Sequence, residues 1–187
     1  MLKPKGTIEF WFKPSWDGGD GEDFRIFDTS IGGIYFFISK GADHGDINLA
    51  EFGFYFQDKI DKDWQQLEFD PKGEVKKNGW FHIAATWEFT AKGKSSQETY
   101  LYFSGKEIAE GNGLSEFPVL HVNPRFGLEI IKYVPSKNGA QGLIDNISIY
   151  SKALTKKEVK RDMGISLSVD IKEKLALTWG ALSLNRE

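Results

Sequence analysis

From Gly6 onward the chain falls into short stretches in which apolar and polar residues alternate, and a period of two is the pattern of a half-buried β-strand. In Gly6–Pro14 (GTIEFWFKP), Ile8, Phe10 and Phe12 alternate with Glu9, Trp11 and Lys13. Arg25–Ile31 and Ile34–Ser39 read as a hairpin about Gly32-Gly33. Asn48–Gln57 sets Leu49 on one face against Phe52, Phe54 and Phe56 on the other, and Trp64–Phe69 is a further short strand. Thr99–Phe103 turns at Ser104-Gly105 into Lys106–Ile108, and Arg125–Val134 and Gly142–Tyr150 complete the set. Gly79–Thr90 (GWFHIAATWEFT) is apolar on both faces, which predicts a central, covered strand. Aromatic residues at 14% and 20 glycines suit pleated surfaces joined by turns.

One helix signal stands out. Thr155-Lys156-Lys157-Glu158 has the capping-box pattern, predicting a helix to about Met163 that stops at Gly164. Many short strands and one short helix point to an all-β, two-sheet antiparallel sandwich or jelly roll over residues 1–164. Residues 165–187 form a separate extension. There Ile165, Leu167, Val169 and Ile171 alternate with polar residues, and Leu175, Leu177 and Trp179 keep the same parity, so a strand that pairs with something is expected.

Several phrases, taken in order, resemble the laminin G-like, concanavalin A-like family. They are GTIEFWFKP, the Trp80-Phe81-His82-Ile83-Ala84 strand and the Leu101–Glu107 hairpin. The last is Gly142–Tyr150, followed by Lys152-Ala153-Leu154 and Thr155-x-x-Glu158. The resemblance covers roughly Gly6 to Met163. It implies two stacked sheets and a domain usually found outside cells, in adhesion proteins, in lectins and beside carbohydrate-active enzymes. It does not imply one function, because the fold hosts many. Family members usually carry a further strand before the GTIEFWFKP equivalent; here only five residues precede Gly6, so a sheet edge is expected to be vacant. The segment of Ile165, Leu167, Val169, Ile171 and Trp179 is a candidate cover, folding back in cis or added to a neighbouring subunit.

Charge and composition remove some function classes. Lys plus Arg is 24 against 27 Asp plus Glu, a formal charge of −3, with no clustered basic face to suggest nucleic acid. No apolar run is long enough to insert into a membrane. There is no cysteine, which excludes disulfides and thiolate metal sites. Met1-Leu2-Lys3-Pro4-Lys5 shows no leader, so an extracellular or cell-surface domain would have lost it or been excised. Glycoside hydrolysis needs two close carboxylates, and the E-x-D-x-x-E strand that glucanases of this fold carry has no counterpart; Glu51, Glu68 and Glu98 stand singly.

The remaining candidates concern binding. Trp16 and Trp64 sit at loops, where an exposed indole stacks on a sugar, although large aromatics are more often packed. Asp17, Asp20, Glu22 and Asp23 crowd a Gly-rich loop whose hard oxygens suit Ca²⁺, though the same composition also makes an ordinary solvated loop. Asp145 shares parity with Leu143, Ile147 and Ile149. It is therefore expected to point inward and to accept backbone amides or pair with His82 or Arg25, with Ca²⁺ ligation as the alternative. His82, on the covered strand, is expected to be a hydrogen-bonded structural histidine. Together these features suggest a non-catalytic module that binds a glycan or protein surface through rim loops, or a structural subunit of an extracellular assembly or filament that uses edge-strand pairing by the C-terminal extension.

Overall fold

The computed structural model describes residues 4–17, 24–29, 36–40, 52–57, 64–70, 73–89, 97–112, 125–128 and 141–168. The expected strands are present: β1 (Lys5–Pro14), β2 (Phe24–Asp28), β3 (Phe36–Lys40), β4 (Phe52–Gln57), β5 (Trp64–Phe69), β6 (Phe81–Glu88), β7 (Gln97–Phe103), β8 (Lys106–Asn112), β9 (Arg125–Leu128) and β10 (Gly142–Tyr150). They form two antiparallel five-stranded sheets, A in the order β10-β1-β6-β7-β8 and B in the order β5-β4-β3-β2-β9. The molecule is an all-β sandwich of the jelly-roll kind.

The core lies between the sheets. From sheet A, Ile8, Phe10 and Phe12 of β1 face Ala85, Ile83 and Phe81 of β6 in register, with Trp87 next along. From sheet B come Ile26, Phe27, Phe36, Ile38 and Leu67. The rings meet edge-on, Phe36 at 4.9 Å from Trp87 and Phe12 at 5.6 Å from Phe81, the geometry in which aromatic quadrupoles attract. The seam is tight: a Cβ on Gly6 would lie 2.4 Å from the Trp87 ring.

β1 and β6 are interior strands of sheet A and are buried on both faces, as expected for β6. For β1 the expectation of one buried face is incomplete, because Thr7, Glu9 and Trp11 are buried as well. The segment after β10 covers Thr7. The Thr7 hydroxyl donates to the Lys152 carbonyl (2.9 Å) and accepts from the Leu154 amide (2.8 Å), tying the chain to the outer face of sheet A. Helix α1 (Lys156–Ser168) then lays Val159 beside Leu154, Ala84 and Tyr102 in a second small core.

The start of α1 follows the capping-box reading. Glu158 Oε2 accepts from the Thr155 amide at 2.8 Å, and Thr155 Oγ1 accepts from the Glu158 amide at 3.3 Å. Its end does not match. The helix passes through Gly164 to Ser168, so Ile165 and Leu167 are helical and not part of a strand. Gly164 does not adopt the left-handed conformation that stops a helix, and inside a helix it is only a weak residue. Extending a formed helix fixes one residue per hydrogen bond gained, which a short period-two run does not override. Val169, Ile171 and Trp179 lie outside the described residues.

Candidate functional site

The largest group of titratable side chains with described geometry sits under α1, on the outer face of sheet A. Glu9 of β1 and His82 of β6 are 4% and 2% exposed. Register places His82 opposite Trp11, and the two rings are tilted against each other at 5.4 Å. His82 Nε2 stands 3.7 Å from Glu9 Oε2, beyond hydrogen-bond reach. Tyr150, at the end of β10, sets its hydroxyl oxygen 3.2 Å from Glu9 Oε1 and 3.3 Å from Asp162 Oδ2 of the helix. Arg161 Nε donates to the other oxygen of Asp162 at 2.7 Å.

Burial dominates the electrostatics here. It pushes the Glu9 carboxyl up to about 7, against the Tyr150 hydroxyl bond; the Asp162 charge raises it further and Arg161 lowers it. Burial also drives the His82 imidazole down to about 4, with Asp162 pulling the other way. The Tyr150 hydroxyl rises to about 12, mainly by burial and then by the Glu9 charge. An acid and an imidazole in proximity are the parts of general acid–base chemistry, but these two have no surface at which a substrate could meet them. The cluster joins sheet to helix.

Sequence reasoning gave Glu9 no role. In the sequence Glu9 is one of the residues alternating with the core face, and Trp11 on the same parity is the signal that this face is covered. His82 is buried as expected, though its ring is held by packing on Trp11, and its Nδ1 has no hydrogen-bond partner among the described residues.

Asp145 departs from its expected orientation. β1 and β10 run in register from Thr7↔Tyr150 to Glu9↔Ser148 and again from Trp11↔Asp145 onward, with a bulge between. Asn146 takes φ 52° at this bulge, adding a residue and reversing parity. Ile144 consequently faces the core, whereas Asp145 sits opposite Trp11 on the outer face, and its Oδ1 accepts the Asn146 amide at 2.8 Å.

Trp16 is not an exposed stacking platform. It is 8% exposed, packed 6.0 Å from the Phe12 ring, with the ammonium of fully buried Lys40 4.9 Å from its own ring centroid. An indole at the mouth of an aromatic core gains more by burial than by display. Trp11 is buried as well, on the outer face of sheet A against His82. Trp64 opens β5 opposite Gln57, and its side chain lies outside the described residues. Of the acidic loop only Asp17 is described, accepting the Lys77 amide at 2.9 Å; Asp20, Glu22 and Asp23 lie outside. Among the described residues no three His, Asp or Glu side chains group as metal ligands.

The match to a protein-family model decides the lineage: Laminin_G_3, described as the concanavalin A-like lectin/glucanases superfamily, matches residues 4–160. The chain belongs to this family. No curated protein matches it. Among solved structures this Laminin_G_3 chain is similar to the receptor-binding domain of botulinum neurotoxin D, with 15% identity and a TM-score of 0.63 over 87% of the chain and 37% of the neurotoxin domain. It is also similar to domain 4 of AbnA, a GH43 extracellular arabinanase from Geobacillus stearothermophilus solved with arabinotriose. That match has 16% identity and a TM-score of 0.57 over 87% of the chain and 68% of the domain. The chain thus spans little more than a third of the neurotoxin domains it resembles. At these identities the likeness shows the fold, one shared with receptor-binding and carbohydrate-binding domains. No helix among the described residues is long and apolar enough to cross a membrane.

Proposed function

We propose that this Laminin_G_3 chain is a non-catalytic recognition module, acting outside the cell or at its surface, that holds a glycan or a protein surface at the loops rimming the sandwich. One observation carries the reading. The acid and imidazole on the outer face of sheet A are sealed under α1, and the space between the sheets is filled with rings. The cavity between Ile38, Ile83, Leu101 and Phe103, about 10 Å³, has room for a single water. Among the described residues neither face shows a pocket in which a reaction could be enclosed, which supports ligand contact at the rim. An arabinanase domain of this fold solved with arabinotriose, and receptor-binding domains of the same fold, support the reading.

A glycan array probed with the folded chain tests it. Retention on a defined set of sugars is expected, and Glu9→Gln should leave that set unchanged because Glu9 is buried. Loss of retention in a folded Glu9→Gln variant would move the binding site beneath α1 and contradict the proposal.

A second reading, a structural subunit joined through sheet edges, is favoured by β10. Among the described residues it is the terminal strand of sheet A, and its Ile147 and Ile149 are 39% and 44% exposed. Edge strands with apolar side chains are templates for another strand. Sedimentation of the chain over a range of concentrations separates this reading from a monomeric module.

A further inference from the structure

The hydroxyl of Tyr150 has one proton and two carboxyl neighbours. Its oxygen is 3.2 Å from Glu9 Oε1 on β1 and 3.3 Å from Asp162 Oδ2 on α1. If both carboxyls were ionised, the hydroxyl could donate to only one of them, and the other contact would set oxygen lone pairs against each other. A second proton in the cluster removes the conflict, and the surroundings show where it sits. Asp162 is held from its far side by Arg161 Nε at 2.7 Å, the arrangement of an ion pair. Among the described residues no Lys or Arg forms an ion pair with Glu9, on which Arg161 acts without touching it: its Oε2 makes no hydrogen bond there and faces His82 Nε2 at 3.7 Å.

We infer that Glu9 is carried as a neutral carboxylic acid that donates to Tyr150, which in turn donates to Asp162, so that one proton clamps helix α1 to sheet A. The groups facing Glu9 agree from each packed element: the neutral imidazole of His82 on β6, Tyr150 and Ser148 on β10, and Arg161 with Asp162 on α1. Tyr100 and Tyr102 of β7 share the covered face. Burial, which favours the uncharged form of an acid, acts in the same direction. Losing the proton places a second negative charge beside Asp162 and strips Tyr150 of its donor. The clamp is therefore closed at acid pH and opens as pH rises through about 7.

Carbon-detected NMR of the Glu9 carboxyl, combined with amide exchange in α1, tests the inference on the intact chain. Glu9 is expected to titrate with a midpoint near 7, and the α1 amides should lose protection over the same range. Glu9→Gln keeps a donor for Tyr150 but cannot ionise, so its α1 protection should not change across that range. A Glu9 midpoint in the ordinary range near 4.5 would overturn the inference. So would a midpoint near 7 with α1 protection unmoved, since Glu9 would then be neutral without holding the helix. Both readouts come from the unmodified chain and stand even if the variant does not fold.

Discussion

At the residue scale, Glu9 and His82 make opposite contributions to pH dependence. The Glu9 value is raised from 4.5 to about 7, so its share of stability is full below 4.5 and is lost as pH rises through 7. The His82 value is lowered from 6.5 to about 4, so its share is present above 6.5 and is lost as pH falls through 4. The two windows overlap with opposite slopes, and the melting temperature of the unmodified chain should be nearly flat across the overlap. Each single variant should expose the hidden slope of the other residue. His82→Gln should become less stable as pH rises from 4.5 to 7, and Glu9→Gln less stable as pH falls from 6.5 to 4. Calorimetric scans of the three proteins across the range check this; parallel profiles would show that the two groups are not buried as described. The alternation in GTIEFWFKP was enough to place Glu9 on a strand. It could not show Glu9 covered, because the cover comes from Tyr150 and Asp162, more than 140 positions further along the chain.

At the element scale, the strands were legible because a strand's side chains keep a strict period of two. Trp64–Phe69 and Gly142–Tyr150 match the observed β5 and β10 residue for residue. The orientation of Asp145 was not legible, since a bulge at Asn146 adds one residue and leaves no mark on composition. The end of α1 was misplaced because Gly164 looks the same in sequence whether it caps a helix or sits within one. The β7–β8 hairpin gives a sharp test. Ser104 and Gly105 both take positive φ (47° and 73°), the two-residue turn whose twist matches the flanking strands. A Cβ on Gly105 would also lie 3.1 Å from Met163 Cε of α1. Gly105→Ala should cost about 1 kcal/mol or more in denaturant unfolding, through backbone strain and helix displacement together. At the other end of the contact, Thr155→Ala removes the helix cap and should cost about 1 kcal/mol. Unchanged unfolding midpoints would mean that α1 is not docked on sheet A.

At the scale of the whole molecule, the sandwich and its family could be read from strand order and a handful of phrases. The ligand could not, because no spacing of residues in the chain fixes a binding chemistry. Trp16 illustrates the limit. A loop tryptophan reads as a sugar platform until the fold places it against Phe12 and Lys40. Truncating a core ring should be severe: Phe10→Ala, at a fully buried position between the sheets, should lower stability by about 3–5 kcal/mol. A charge at the open edge should act differently. Ile149→Lys is expected to leave the melting temperature unchanged while abolishing any concentration-dependent association, since an edge lysine blocks strand pairing. Association that survived this change would exclude the β10 edge as its route.

The most direct test is to incubate the folded chain with a panel of oligosaccharides and receptor proteins and to follow retention and newly formed reducing ends in the same samples. A recognition module with sealed acid–base groups predicts retention of particular ligands and no new reducing ends at any time. Steady release of reducing ends, or no retention of any ligand, would contradict it.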